Sequence, residues 1–224
     1  IQLVLDEPNA FDSMMAHYGK FSGVRNYIVM AGKKTAELEE TCGYYGEKIV
    51  LYAQTLGLNT CWVAMTYSKG KAVFQLDQDE KVCLVIAVGY GETEGTAHNV
   101  KSRERVMKVQ GTPPEWFIRG IDAAILAPTA MNQQKFVFSL DGNTESAKAG
   151  MGFYSRIDLG IAKYHFEIGA GTENFQWGKT SSGSCHRLAY ICHYLFIISS
   201  RTGNRKCPIL PGLLFICRME KPIW

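Results

Sequence analysis

Several absences narrow this 224-residue chain before anything present does. No apolar run is long enough to cross a bilayer: the longest, Leu188 to Ile198, is interrupted by His193 and falls well short of the roughly 20 residues a spanning helix needs. The opening Ile1-Gln2-Leu3-Val4-Leu5-Asp6-Glu7 has neither a basic n-region nor a cleavage site, so it is no signal peptide. It also has no starting Met, and we expect the true amino terminus to lie upstream. Charged residues are only 20% of the chain against 46% hydrophobic, which excludes a disordered polyelectrolyte and fits one globular domain or two packed halves. Gly89-Tyr90-Gly91 and Gly95 do not complete Gly-x-Gly-x-x-Gly, and an acidic stretch follows where a helix should begin, so a Rossmann dinucleotide site is excluded. No Gly-x-Ser-x-Gly or Ser/His/Asp arrangement stands out, and no solenoid period appears. His165, beside Tyr164 and Phe166, reads as a satisfied core or surface histidine rather than a catalyst.

The net charge of +3 is unevenly spread. Residues 178–224 hold seven Lys/Arg against the single acid Glu220, leaving the remainder net negative, without the basic surplus of a nucleic-acid-binding protein. Four of the seven cysteines fall in this tail. Cys185-His186, Cys192-His193, Cys207 and Cys217 match no zinc-site spacing. With no amphipathic pattern either, the tail reads as an atypical basic, Cys-rich extension of non-native character, such as out-of-frame translation or a mis-drawn gene end. The domain proper is residues 1–177. Its Cys42, Cys61 and Cys83 are widely spaced in apolar surroundings, as for the reduced thiols of a cytoplasmic protein.

Periodicity supplies the elements. Residues 1–7 and 25–31 read as strands. From Thr35 to Leu58 the spacing of Leu38, Cys42, Tyr45, Ile49, Tyr52 and Leu56 is that of one helix face, stopped by Gly57 and Asn59. Thr60 to Met65 is extended. Val82 to Val88 is an unbroken apolar run, the mark of a strand covered on both sides. Pro113-Pro114 opens a helix whose inner stripe is Phe117, Ile121, Ala124 and Ile125, ended by Pro128. Residues 135–140 and 146–150 form strands around the turn Asp141-Gly142-Asn143, and Asp158 to Ile168 is a last helix closed by Gly169.

Between the helix ended by Pro128 and the next strand, the sequence crowds Thr129, Asn132, Gln133 and Gln134 into six residues. A carboxamide offers donor and acceptor together, which matches the acceptor–donor–acceptor edge of a flavin pyrimidine. A polar loop capping its own backbone is the plainer alternative, and composition leaves both open. The segment Ala127-Pro128-Thr129-Ala130-Met131-Asn132-Gln133-Gln134-Lys135-Phe136-Val137-Phe138 resembles the Ala-Pro-Ser-Ser-x-Asn-x-Gln-Pro-Trp-x-Phe motif of FMN-dependent nitroreductases, from which Lys135-Phe136 departs. Gly57-Leu58-Asn59-Thr60-Cys61-Trp62-Val63-Ala64-Met65-Thr66 is similar to that family's stretch along the flavin, and Lys101-Ser102-Arg103 to its phosphate-binding Lys-x-Arg. The resemblance covers about residues 1–177 and is closest to a divergent single-chain branch.

The resemblance implies an α+β fold with a mixed central sheet and covering helices. It implies an FMN-dependent oxidoreductase passing two electrons from NAD(P)H to a small molecule such as a nitroaromatic or quinone. The implied cofactor-binding set is Val63, Ala64 and Met65 near the reactive ring nitrogen, Lys101 and Arg103 at the phosphate, and Pro128, Thr129, Ala130, Asn132 and Gln134 at the ring. No side chain is implied as an acid–base catalyst, no metal, and neither membrane nor nucleic acid as partner. The molecule is expected to be a monomer imitating a dimer, or a homodimer. The family's opening Arg-x-Ser-x-Arg segment has no counterpart here, so a flavin- or ligand-binding protein without turnover, or an inactive fragment, stands as the alternative.

Overall fold

The computed structural model describes residues 1–178 apart from Glu94 and Asn143; the tail, with its cysteines, lies outside the described residues. Strands and helices are mixed, and the chain forms two compact units. One is built from residues 1–38 and 48–96, the other from residues 39–47 and 97–178.

In the first unit the strands β1 (Gln2–Val4), β2 (Tyr27–Lys33), β3 (Asn59–Val63) and β4 (Glu80–Gly89) form an antiparallel sheet in the order β1-β2-β4-β3. The apolar run expected to be covered on both sides is the interior strand β4, and Leu84 to Val88 are buried on both faces. A short helix, α1 (Met14–Tyr18), lies in the excursion between β1 and β2. One sheet face packs on a cluster that includes Phe11, Tyr27, Val29, Val63, Tyr67 and Val85. Tyr27, fully buried, satisfies its hydroxyl by donating to Glu7 Oε2 at 3.1 Å and accepting the Val73 N–H at 2.8 Å, as a buried phenol must.

In the second unit β5 (Met107–Val109), β6 (Phe136–Asp141), β7 (Thr144–Ala149) and β8 (Gln176–Trp177) form a mixed sheet in that order. β6 and β7 are the hairpin expected from the Asp141-Gly142 turn, and β5 and β8 add to it in parallel. Three helices accompany the sheet: the single turn α3 (Arg103–Val106), α4 (Glu115–Ala124) and α5 (Ser155–Ala170). Of the expected α4 stripe, Phe117, Ile121 and Ala124 have no exposed surface, while Ile125 is half-buried and follows the last helical residue. The stripe meets an aromatic core in which Phe166 stacks on Phe138 at 4.8 Å and takes the edges of Phe117 and Phe175. Burying side chains of this size stabilises by roughly 1.5–3 kcal/mol each.

The long helix α2 (Leu38–Thr55) places its residues 39–47 in this second unit. There it meets α5 backbone to backbone. A Cβ at Gly160 would collide with the Glu40 carbonyl oxygen and the Tyr44 nitrogen, and one at Gly43 would collide with the Ile157 carbonyl oxygen. His165 is buried, its Nε2 at 2.7 Å from Glu47 Oε1, which bears out its reading as a satisfied core histidine. Lys163 forms an ion pair with Glu40 and lies 4.9 Å over the Trp177 ring.

Candidate functional site

The loop that follows Pro128 is woven into residues 98–101, all within the second unit. Asn99 supplies the common acceptor: its carbonyl oxygen receives Asn132 Nδ2 at 2.9 Å and Gln134 Nε2 at 2.7 Å. Gln134 Nε2 also donates to Asn132 Oδ1 at 2.7 Å, and Gln134 Oε1 accepts the Lys101 N–H at 2.9 Å. The Gln134 N–H goes to Thr129 Oγ1 at 3.0 Å. Lys101 Nζ closes the structure by donating to the carbonyl oxygens of Gln133 and Gln134 at 2.6 and 3.0 Å. Four of the residues singled out in the sequence, Lys101, Thr129, Asn132 and Gln134, therefore form one constellation. The spacing of some thirty residues between them is closed by the fold.

Their states differ. Gln134 is 3% exposed and spends both amide protons inside the protein, so its visible work is to hold the loop. Asn132 is exposed, and among the described residues it uses one of its two donors and one of two lone pairs. Burial, with the charges of Arg105 and Lys135 nearby, pushes the Lys101 ammonium below its ordinary value. Replacing the buried Gln134 by Ala removes three side-chain hydrogen bonds, to the Asn99 carbonyl, to Asn132 Oδ1 and from the Lys101 N–H. We expect a loss of about 2 kcal/mol in denaturant unfolding, against under about 1 kcal/mol for Asn132→Gly.

The loop backbone is unusual. Met131, Asn132 and Gln134 have φ of 52°, 51° and 44°, left-handed values that cost an L residue about 1–2 kcal/mol. Asn tolerates this region; Met and Gln do so only when the surroundings impose it. Ala130–Asn132 forms a single 3-10 turn.

One residue that holds the loop was not found by sequence reasoning. Asp158, in the first turn of α5 and 2% exposed, accepts the Ala130 N–H at 2.9 Å on Oδ1 and Gln133 Nε2 at 2.7 Å on Oδ2. Burial pushes its carboxyl up to about 6 against the pull of these two bonds, and the two N–H donors that converge on its two oxygens favour the ionised form. Within the sequence, Asp158 read only as a helix start. The signal available was an acid set between the apolar Ile157 and Leu159 near the start of a helix.

Arg103 stands apart from the loop. It begins α3, and its Nε and Nη2 donate to the two oxygens of Asp122 on α4 at 2.5 and 2.7 Å, a bidentate pair at the surface. Pro128 and Ala130 shape the backbone: Ala130 is buried, and Pro128 is half-buried. Val63, Ala64 and Met65 belong to the first unit. Val63 closes β3 opposite Val85, Ala64 is buried, and Met65 is half-exposed. One residue earlier, the Trp62 indole N–H is buried with nothing among the described residues to accept it, a donor that a polar ligand atom would satisfy.

Among the described residues no three His, Cys, Asp or Glu side chains gather as a metal site, and no helix is long and apolar enough to cross a membrane.

Comparison with known proteins gives two matches. The family described as “Putative TM nitroreductase” matches residues 1–170. Among solved structures, the chain is similar to the 2.00 Å crystal structure of a “putative nitroreductase” from Thermotoga maritima, with 24% identity and a TM-score of 0.50 over 66% of this chain and 61% of that one. The match thus spans about three fifths of that protein's length. No curated protein matches. At this identity the structural likeness bears on the fold, which is α+β of the nitroreductase type.

Proposed function

The chain belongs to this nitroreductase family, and from that premise we propose that it is an FMN-dependent oxidoreductase that accepts electrons from NAD(P)H and delivers them to a small oxidised molecule such as a nitroaromatic or quinone. The observation that carries the proposal is the woven loop: an exposed Asn132 carboxamide, with a donor and an acceptor to spare, held rigidly beside Lys101.

The donor set fits the group. Asn132 and Thr129 would bind the polar edge of the ring, and Gln134 would keep Asn132 in place. The family resemblance is what suggests a flavin-contacting role for Val63 to Met65, whose backbone N–H groups could orient a ring without titrating. Lys101 and Arg103 would take the phosphate; for Arg103 this means sharing the guanidinium with Asp122. FMN, when bound, supplies the two-electron chemistry, and the residues of the chain bind, orient and shield it. No side chain of the chain is assigned a proton-transfer role.

Purification tests the proposal. Yellow protein that releases FMN on heating and oxidises NADH or NADPH is the expected result. Yellow protein without that oxidation would make it a flavin binder, and colourless protein that FMN cannot reconstitute would refute both readings. Asn132→Gly keeps the left-handed backbone while removing the amide. It should weaken FMN retention by about 1–3 kcal/mol in a fluorescence titration. Unchanged retention removes Asn132 from the site.

A further inference from the structure

We propose that Asp158 is the positioning residue of the ring-binding loop, fixing the conformation in which Asn132 is presented to the flavin; this rests on the FMN reading above. The carboxylate brackets Asn132, taking the backbone N–H of Ala130 on one oxygen and the side chain of Gln133 on the other. Gln133 Nε2 is itself steadied by the Phe153 carbonyl oxygen at 2.6 Å, and the side chain fills the space that a Cβ at Gly152 would need. The loop is thereby tied from below by Asp158 and from its other end by Lys101.

Two physical considerations support a positioning role. An ionised carboxylate is costly to bury unless it is hydrogen-bonded, and both hydrogen bonds given to Asp158 come from this loop. The residue that precedes α5, Tyr154, has a left-handed φ of 54° and makes no side-chain cap, and the hydrogen bonds that the Asp158 carboxylate accepts come from the loop, not from the helix end. Meanwhile three left-handed L residues between Ala130 and Lys135 favour relaxation of the loop, so whatever holds Ala130 and Gln133 decides where Asn132 stands. Only a carboxylate suits the place. Two N–H donors converge on it, and an Asn would offer one acceptor and turn an N–H group toward the second donor. Asp158→Asn is therefore isosteric and still disruptive.

The test combines two measurements on Asp158→Asn, Asp158→Ala, Gln133→Ala and the double variant Gln133→Ala/Asp158→Ala. Amide hydrogen exchange of the flavin-free proteins reads the loop directly. Peptides over residues 127–134 should exchange at least about tenfold faster in the Asp158 variants, with β7 unchanged. FMN titration, read by fluorescence and by the shape of the visible band, should show a dissociation constant raised about 10- to 100-fold. The double variant should be weaker than Asp158→Ala by less than Gln133→Ala alone costs, because the bond the two residues share is lost already. General loosening of the unit would speed β7 exchange as well, and that result would overturn the proposal. So would normal FMN affinity in the Asp158 variants of a protein whose wild type binds FMN. A wild type that binds no FMN sinks the flavin reading; the exchange data then decide by themselves whether Asp158 sets the loop. Should Asp158→Ala not fold, Asp158→Asn and Gln133→Ala carry the same two readouts.

Discussion

Glu145→Gln should make the protein more stable in alkaline solution by roughly 3–5 kcal/mol while leaving it almost unchanged near pH 5. Glu145 lies on β7, opposite Trp177 of β8, with no exposed surface, and among the described residues no hydrogen bond of good geometry reaches either carboxylate oxygen. Burial pushes its carboxyl from 4.5 up to about 8, against the pull of the Ser139 backbone N–H and the Lys163 charge. The native protein therefore keeps this proton over a range in which the unfolded chain has released it. The sign follows: the contribution to stability is complete below about pH 4.5 and is lost as pH rises through about 8, at up to about 1.4 kcal/mol per pH unit. Glutamine copies the shape of the neutral acid and has no proton to lose. Denaturant unfolding at pH 5, 7 and 9 checks this. The wild-type curve should fall with pH and the variant's should lie flat, so that at pH 9 the thermal midpoints differ by roughly 10 °C. Parallel curves would mean that Glu145 finds a partner or water in solution.

Gly160→Ala is expected to destabilise by about 3 kcal/mol, although alanine is the better helix former by about 1 kcal/mol. The added methyl has nowhere to go, because its obstacles are the Glu40 carbonyl and the Tyr44 nitrogen, backbone atoms of α2 that no rotamer change removes. Ordinary overpacking costs about 1–3 kcal/mol where side chains can adjust; here they cannot, and Gly160→Val should not fold. Gly57 provides the contrast. A Cβ there meets nothing, yet its φ of 73° makes alanine unfavourable for conformational reasons alone, by about 1 kcal/mol. A Gly160→Ala protein as stable as the wild type would show that the two helices separate without cost.

The elements that sequence reasoning found are those whose burial is periodic. β4 was visible because both its faces are covered, so every residue from Leu84 to Val88 is apolar. α4 was visible because Phe117, Ile121 and Ala124 recur on one face. β5 and β8 were missed. Met107-Lys108-Val109 and Gln176-Trp177 are too short to carry a period, and each becomes a strand only by lying parallel to a partner some thirty residues away. The helix ends were wrong by about three residues for the same reason: α5 begins at Ser155, behind a left-handed Tyr154 that no local rule announces. At the site, residue types were legible and their duties were not. Asn132 and Gln134 look alike as letters, but one is exposed and half-spent, the other buried and wholly spent. Asp158 showed only as an acid among apolar neighbours, because its role lies in two tertiary bonds to residues 25 and 28 positions earlier.

The ties that hold the Ala130–Gln134 loop from Asp158, Lys101 and Thr129 also bear on kinetics. They are all made within the chain itself, so a molecule arriving at Asn132 is expected to spend little of its binding energy on ordering the loop. Encounter is then not gated by a rearrangement of this segment. In a stopped-flow mixing experiment the observed rate should climb linearly with FMN concentration, without the plateau that a slow loop transition imposes, and differences in affinity among loop variants should emerge mainly in how fast the flavin leaves.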